Sequence, residues 1–191
     1  DHDLVLCHDA AYSEITFDGF VAPSVLQVEG GKDVAVEFGS LSKTYNMTGW
    51  RIGYAVGNAR AVGALATIKT NVDSGIFNAV QQAGIAALTG PQDHVDAMRA
   101  VYSKRRDLVV SAFAELGIAI EPPLGSIYVW LPTPPGKTSV DFAAELLQEA
   151  AVVVAPGTGY GANGEGFIRV SLTVADDRLE EAMDRVRRRF A

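Results

Sequence analysis

The chain has 191 residues, of which 48% are hydrophobic, and its formal net charge at pH 7 is -7. This composition indicates a globular core rather than a disordered segment, and the negative charge argues against a general affinity for nucleic acid or anionic membranes. Cys7 is the single cysteine, so no internal disulfide can form, and the composition suits a reducing cytoplasm.

The sequence predicts neither a membrane-spanning segment nor a signal peptide. The longest uncharged stretch, residues 74–92, contains amides and a proline, so we do not interpret it as a span. The first residues, Asp1-His2-Asp3, lack the basic start of a signal peptide. Because the sequence also lacks an initiating Met and enters a strand almost at once, we interpret it as the later part of a longer protein.

The first half of the chain alternates strand and helix patterns. The run Leu4–Cys7 predicts a buried parallel strand with Cys7 in the core, and it presents His8 and Asp9 at its carboxyl end. Ligands gather at such ends in open α/β sheets. Two more strands are predicted over residues 33–38 and 51–56, and two helices over residues 59–69 and 79–88. The pattern favours a mostly parallel sheet covered by helices.

The second half predicts a smaller α+β unit that follows a long helix. Apolar residues recur at intervals of three, four or seven over residues 92–116, which is typical of an amphipathic helix. We place the domain boundary within this helix, between a large domain (1–105) and a small one (106–191). Further strands are predicted over 127–131, 152–155 and 167–172, and helices over 140–150, capped by Ser139, and from Asp176 onward.

One stretch, Gly39–Tyr54, carries a reactive set of side chains. Lys43 follows Ser40 by three residues and precedes Arg51 by eight. An amine can form a Schiff base with an aldehyde, while a hydroxyl and a guanidinium suit a phosphate. The stretch therefore suits a phosphorylated aldehyde. The alternative is a surface lysine in a loop, which is the usual case for such a short pattern taken alone.

Six residues along the chain form a recognisable set: Asp9, Tyr12, Ser40, Lys43, Arg51 and Arg169. In order and spacing they resemble the class I and II, fold-type I aminotransferases that use pyridoxal 5'-phosphate. The matching motifs are Asp9-Ala-Ala-Tyr12, Ser40-Leu-Ser-Lys43 and the strand around Arg169, and the resemblance covers essentially the whole chain. It implies an α/β fold that comprises the C-terminal part of the large cofactor-binding domain and the small C-terminal domain.

The resemblance also implies a role for each residue that contacts the cofactor. Lys43 would hold pyridoxal phosphate as a Schiff base and then act as the base that moves a proton. Asp9 would pair with the pyridine nitrogen, and Tyr12 would donate to the phenolic oxygen. Ser40 and Arg51 would bind the phosphate. The alternatives are a turn cap for Asp9, a core tyrosine for Tyr12 and a solvated charge for Arg51.

Two substrate contacts are implied in the same way. Arg169 would bind the α-carboxylate of the amino acid with its planar fork; the alternative is a structural salt bridge. Asn78 lies where a residue of this family can approach the partner subunit's substrate, and the alternatives are a helix cap or a surface residue. Glu14 is expected to be a simple loop carboxylate.

Within the family, three stretches look most like LL-diaminopimelate aminotransferases and their bacterial relatives: residues 8–19, 40–53 and 156–161. That resemblance implies transfer of an amino group between an amino acid and a 2-oxo acid in lysine biosynthesis, by a cytoplasmic homodimer with its active site at the interface. Ala10 departs from the asparagine expected there. Neither nucleic acid nor a membrane is an expected partner, and the exact amino acid is left open.

Other interpretations are weaker. Gly157–Ala162 matches the dinucleotide pattern G-x-G-x-x-A, but no helix is predicted to open there. The three histidines are scattered and have no metal-ligand spacing. Three functions stay open: a transaminase of this or another specificity, a pyridoxal-phosphate lyase acting on C–S bonds, and the aminotransferase-like effector-binding half of a transcription regulator.

Overall fold

The computed structural model describes residue 2 and residues 4–190 of the chain. Helices and small sheets give an α/β architecture, which agrees with the predicted class. The described residues form two compact units, and the division between them falls between Arg99 and Ala100.

The first unit is built on a three-stranded sheet, β1 (Leu6–Asp9), β2 (Ala35–Ser40) and β3 (Gly53–Gly57), in that spatial order. β1 pairs with β2 in parallel, whereas β3 pairs with β2 antiparallel. Of these two strand pairs, β1–β2 is parallel as expected, and β2–β3 departs from the parallel pattern. Between β2 and β3 the chain forms only single helical turns, which is too little for the crossover that a parallel pair needs.

The first strand also differs from its prediction. It begins at Leu6 instead of Leu4 and is not buried: Leu6 is 50% exposed, and Cys7 is exposed as well. Within the described residues β1 pairs only with β2, so its second edge has no neighbouring strand to cover it. The apolar run identified a strand correctly but not the extent of its burial.

The described part of this unit contains the helices α1 (Gly31–Val34), α2 (Leu41–Thr44), α3 (Ala59–Val72) and α4 (Asn78–Thr89). Asn58 caps α3 because its side-chain oxygen accepts from the backbone N–H of Ala61 at 2.9 Å. α3 buries none of its residues in this chain, and Ile68 is 63% exposed. The long helix α5 (Asp93–Ala114) follows and includes the division between the two units.

The second unit has an antiparallel sheet of β4 (Tyr128–Pro132), β5 (Ala155–Pro156) and β6 (Phe167–Ser171), in the order β4-β6-β5. Alternate residues face a core: Val129, Leu131, Ile168 and Val170 are buried. Their neighbours in sequence, including Trp130 and Arg169, lie on the other face, which is the period of two expected of a half-buried strand.

Helices α6 (Ser139–Ala150) and α7 (Asp176–Phe190) complete this unit. Phe142 and Leu146 of α6 pack with Leu179, Met183 and Val186 of α7 in the same buried cluster. Together with the inner face of the sheet they form the core of the unit. Its helices and sheet thus follow the amphipathic patterns of the sequence.

Two predictions in this unit need correction. Ser139 is the first residue of α6, and its cap is Thr138, whose Oγ1 accepts from Asp141 N at 3.1 Å. The strand expected over 152–155 reduces to Ala155–Pro156. Ala151 adopts a left-handed conformation, and Val152 N donates to Leu146 O at 3.1 Å. Val152 is therefore occupied in closing α6 and cannot extend the strand.

Within the described part of the chain, no helix combines the length and apolar character required to cross a membrane.

Candidate active site

Two of the predicted cofactor-binding residues, Asp9 and Ser40, lie at one edge of the sheet of the first unit. Asp9 is the last residue of β1 and stands opposite Phe38 of β2, and Ser40 is the last residue of β2. Since β1 and β2 are parallel, their carboxyl ends meet at the same edge. The fold thus brings a carboxylate and a hydroxyl to the place where α/β sheets bind ligands.

Lys43 lies in the single turn that follows β2. Ser40 has an extended backbone and caps this turn, because its Oγ accepts from Ser42 N at 3.2 Å. The turn directs the half-buried Lys43 towards the loop after β1, and its Nζ lies 5.3 Å from the centre of the Tyr12 ring. The amine and the phenol predicted to act together are therefore close neighbours.

Arg51 lies outside the strand in which the sequence placed it, since β3 begins at Gly53. Arg51 has a left-handed backbone (φ 55°), and its Nη1 donates to Thr48 O at 3.0 Å. The segment returns to the lysine turn through a bond from Leu41 N to Ile52 O at 3.2 Å. The exposed guanidinium thus belongs to the same loop cluster as Ser40 and Lys43, on a turn rather than a strand.

A glycine makes this close approach possible. A Cβ on Gly53 would lie 2.6 Å from Gly39 O, well inside van der Waals contact. Any side chain at this position would push β3 away from the end of β2, where Ser40 and the lysine turn begin. The glycine therefore maintains the spacing of the loop cluster.

The donor set matches the chemistry of pyridoxal phosphate. Asp9 supplies a carboxylate for a protonated ring nitrogen, and Lys43 an amine for an aldehyde. Ser40 and Arg51 supply a hydroxyl and a guanidinium for a phosphate. Among the described residues the guanidinium of Arg51, which has five N–H groups, makes one hydrogen bond, to Thr48 O. These groups lie at one sheet edge and on the loops beside it, so the residues present fit the cofactor.

One face of the same sheet carries a hydrogen-bonded cluster that the sequence did not reveal. His8 Nδ1 lies 2.9 Å from Glu37 Oε2, and Ser24 Oγ donates to the same oxygen at 2.5 Å. Burial raises the pKa of Glu37, but the hydrogen bonds from Ser24 and His8 outweigh burial and leave that pKa below its ordinary value. The cluster anchors the 24–27 turn to β1 and β2, next to Asp9.

Glu14 is also more than a loop carboxylate. Arg99 donates from Nη2 to Glu14 Oε2 and from Nε to Glu14 O, both at 2.7 Å, and from Nη1 to Asp96 at 2.9 Å. The pair fastens the loop that carries Tyr12 to α5. The two partners are separated by 85 residues, and no local pattern of the sequence links them.

Asn78 is the first residue of α4 and is exposed. The N-cap of this helix is Phe77, which has no side chain able to cap. The structure therefore places Asn78 just inside the helix rather than at its cap. Its predicted contact with a partner's substrate stays a prediction.

Arg169 lies in the second unit, on the outer face of β6, opposite Trp130 of β4. It is half-buried, and its Cζ lies 3.9 Å from the ring centre of Tyr128 and 4.2 Å from that of Tyr160. Among the residues that the structure describes, no carboxylate forms an ion pair with it. The salt bridge weighed as its alternative role is thus not seen in this part of the chain.

The glycine-rich loop does not open a helix suited to a dinucleotide. Gly157–Tyr160 and Ala162–Gly164 are short 3-10 turns, and the chain then enters β6. Nor do histidine, cysteine and acidic side chains gather into a metal-binding group within the described residues.

Comparison with known proteins links these features to a family. The model of the family "Aminotransferase class I and II" matches residues 1–186. The chain is 55% identical over 187 residues to the LL-diaminopimelate aminotransferase of Moorella thermoacetica, covering 98% of this chain and 48% of that protein. It is 55% identical over 185 residues to LL-diaminopimelate aminotransferase 2 of Nostoc sp., covering 97% of this chain and 47% of that protein.

Solved structures show the same relationship. The apo form of BacF from Bacillus subtilis matches with a TM-score of 0.91 and 38% identity, over 100% of this chain and 49% of that one. An aminotransferase from Staphylococcus aureus matches with a TM-score of 0.90 and 40% identity, over 98% of this chain and 50% of that one. The chain therefore spans about half the length of the proteins it matches.

Proposed function

This chain belongs to the family of class I and II aminotransferases, and from that premise we propose that it is part of a pyridoxal-phosphate-dependent transaminase acting on LL-diaminopimelate. The observation that carries the proposal is the 55% identity, over 98% of the chain, to an LL-diaminopimelate aminotransferase. The arrangement of Asp9, Tyr12, Ser40, Lys43 and Arg51 supports it, because these side chains match the cofactor group by group.

Pyridoxal phosphate, when bound, supplies an aldehyde that accepts the amino group and a ring that withdraws electrons from the substrate Cα. In the proposed mechanism, Asp9 keeps a proton on the ring nitrogen, and Tyr12 donates a hydrogen bond to the phenolic oxygen. Ser40 and Arg51 bind the phosphate and fix the orientation of the ring. The short turn that carries Lys43 begins directly after Ser40, so phosphate binding also positions the amine.

Lys43 has the second role in this proposal. Its Nζ first holds the cofactor. Once substrate has released it, Nζ takes the proton from the substrate Cα and delivers it to C4′, the aldehyde carbon of the cofactor. Arg169 binds the α-carboxylate that the amino acid and the 2-oxo acid share. A bidentate contact of this kind suits both substrates of a transaminase.

The remaining parts of the proposal concern the whole protein. We propose a role in lysine biosynthesis, a cytoplasmic location and a homodimer in which Asn78 approaches the partner subunit's substrate. These proposals follow from the resemblance to LL-diaminopimelate aminotransferases. They concern the full-length protein, because this chain covers about half the length of those relatives.

The test is a product analysis on the full-length protein with pyridoxal phosphate. LL-Diaminopimelate, L-glutamate, L-aspartate, L-alanine and L-cysteine are each supplied with 2-oxoglutarate, or with 2-oxobutanoate for glutamate. We expect amino transfer, with LL-diaminopimelate giving the highest kcat/KM. Release of ammonia and pyruvate from cysteine without amino transfer would identify a lyase instead, and no reaction with any of the five would contradict the proposal.

A further inference from the structure

Two tyrosine rings contact the guanidinium of Arg169. The Cζ of its guanidinium lies 3.9 Å from the ring centre of Tyr128 and 4.2 Å from that of Tyr160. Both distances are van der Waals contacts, well inside the range of about 6 Å over which a ring attracts a cation. Two rings in contact with one planar group restrain both its position and its tilt.

The two tyrosines reach Arg169 from separate parts of the chain. Tyr128 is on β4, on the same outer face of the sheet as Arg169, because it stands opposite Ser171, two residues further along β6. Tyr160 closes the 3-10 turn Gly157–Tyr160. The guanidinium is therefore held by the sheet on one hand and by the glycine-rich loop on the other.

The ring of Tyr160 is itself held by other rings. It meets Trp130 edge to face, with centres 5.4 Å apart and an interplanar angle of 74°. Trp130 meets Phe167 in the same manner at 6.4 Å and 75°. Edge-to-face pairs at these distances are favourable, so the row from Phe167 through Trp130 to Tyr160 leads to Arg169 and supports it.

The loop that carries Tyr160 has little freedom. A Cβ on Gly157 would lie 1.9 Å from Gly164 O and 2.7 Å from Phe167 O, so two backbone segments pack directly on this glycine. Glu165 extends the same packing, since it accepts from Ser139 N at 2.8 Å and from Gly166 N at 2.9 Å. The loop is thus fixed to the start of α6 and to β6, and Tyr160 is fixed with it.

The hydrogen-bonding capacity of Arg169 is left for a ligand. Within the described part of the chain, the guanidinium makes no ion pair, although a free guanidinium offers five N–H donors. It opens onto a cavity of about 410 Å³, whose lining includes Gly125, Ser126, Tyr128, Trp130 and Glu121. Ring contacts fix the cation without using its donors, which a salt bridge would consume.

We propose that Tyr128 and Tyr160 are positioning residues that hold the Arg169 guanidinium in the orientation needed to bind the substrate carboxylate. The glycine-rich loop then has a function beyond packing: it places one of the two rings. This inference rests on the proposed function, because it takes Arg169 as the carboxylate-binding group.

The experiment uses full-length holoenzyme and four variants in pairs, Tyr160→Leu with Tyr160→Phe and Tyr128→Leu with Tyr128→Phe. Leucine removes the ring, whereas phenylalanine keeps it and removes only the hydroxyl. The readouts are kcat and KM for the amino acid and the 2-oxo acid, and the calorimetric Kd of glutarate, an unreactive carboxylate. Tyr102→Leu is the matched control, because Tyr102 also lies against an arginine, at 5.7 Å, but that Arg105 is already bonded to Asp176 and Leu172 O.

We expect each leucine variant to raise KM and the glutarate Kd about 3- to 30-fold, the range of one cation–ring contact. The phenylalanine variants should stay within about twofold of wild type, and kcat should change little in all four. Tyr160→Leu should add little in an Arg169→Lys background, since the two changes act on one contact.

Three results would overturn the inference: leucine variants that bind glutarate like wild type, a loss of kcat without a change in KM, or an equal effect from Tyr102→Leu. Failure of the proposed function would look different. A wild-type protein without amino transfer would contradict the transaminase, while the glutarate Kd of the same variants would still report on the rings. A fourth result would also overturn the inference: a wild-type protein that does not bind glutarate.

Discussion

At the scale of single residues, the candidate site depends on charges whose position the backbone determines. Asp9 ends β1 at the edge where Ser40 ends β2, and Arg169 occupies the one face of β6 that does not enter the core. For Arg169 the alternation of β6 selects the outer face of the sheet. Each charge can be tested by a single substitution: one that removes the charge of Asp9 and keeps its size, and one that keeps the charge of Arg169 and removes its planar fork.

Asp9→Asn removes the carboxylate charge and keeps the size of the side chain. We expect kcat of the full-length enzyme to fall about 10²- to 10³-fold, the usual loss when a group that stabilises developing charge is removed. The Kd of pyridoxal phosphate should change far less, and kcat/KM should fall together with kcat. Steady-state kinetics measures kcat and kcat/KM, and a cofactor titration measures the Kd. The control is Asp33→Asn, because Asp33 is another exposed acid in the same unit. Near-normal turnover would remove Asp9 from the mechanism.

Arg169→Lys keeps the charge but loses the planar fork. We expect kcat/KM to fall for every substrate by a similar factor, corresponding to about 1.5–3 kcal/mol, the range for a hydrogen bond to a charged group. The ratio of kcat/KM between L-glutamate and LL-diaminopimelate should barely change, because the distal end of the substrate is read elsewhere. A large change in that ratio would mean that Arg169 binds the distal carboxylate.

At the scale of elements, periodicity predicted most helices and strands, because it reports which face of an element is buried. α4 differs from its expected bounds by a single residue at each end. Periodicity does not report what packs on that face, so it missed the pairs His8–Glu37 and Glu14–Arg99, which join residues 29 and 85 positions apart. The same limit applies to the candidate site: motifs predicted a role for Arg169, but only the fold brings Tyr128 and Tyr160 to it.

The junction between α6 and the glycine-rich loop gives a pH-dependent prediction. Hydrogen bonds from the backbone N–H groups of Ser139 and Gly166 hold the pKa of Glu165 below its ordinary value. With a folded pKa below the unfolded one, Glu165 stabilises the fold above the unfolded value, about 4.3, and this contribution is lost as the pH falls through the folded pKa. Glu165→Gln should therefore destabilise the protein at pH 7, and its difference from wild type should shrink on acidification.

Urea unfolding of the full-length protein between pH 7 and pH 3 measures this difference, with Glu29→Gln at an exposed position as the control. A gap between wild type and Glu165→Gln that stays constant down to pH 3 would show that the carboxylate charge of Glu165 does not contribute.

At the scale of the whole molecule, the chain leaves several large apolar side chains exposed. Leu6, Ile68, Phe77 and Ile85 of the first unit are at least half exposed. The chain also spans about half of its relatives. The order of its motifs predicts the later half of such a protein, but no pattern of the sequence predicted which apolar side chains stay exposed.

We accordingly predict that residues 1–191 alone do not transaminate. A recombinant 1–191 chain with added pyridoxal phosphate should give no amino transfer from LL-diaminopimelate, because the chain covers about half the length of its relatives and we expect the rest of such a protein to complete the site. The full-length protein at the same concentration is the positive control. Turnover by the 1–191 chain at a rate near that of the full-length protein would contradict this prediction.

Borohydride reduction of the full-length holoenzyme tests the central claim most directly, because it makes the bond between the cofactor and its lysine permanent. Modified Lys43 resists trypsin, so we expect the cofactor on a single peptide that runs from residue 33 to residue 51 with Lys43 uncleaved. Lys43→Ala should abolish the label, and Lys69→Ala, a change of an exposed lysine on α3, should leave it in place. Cofactor fixed to any other lysine, or none fixed at all, would contradict the account.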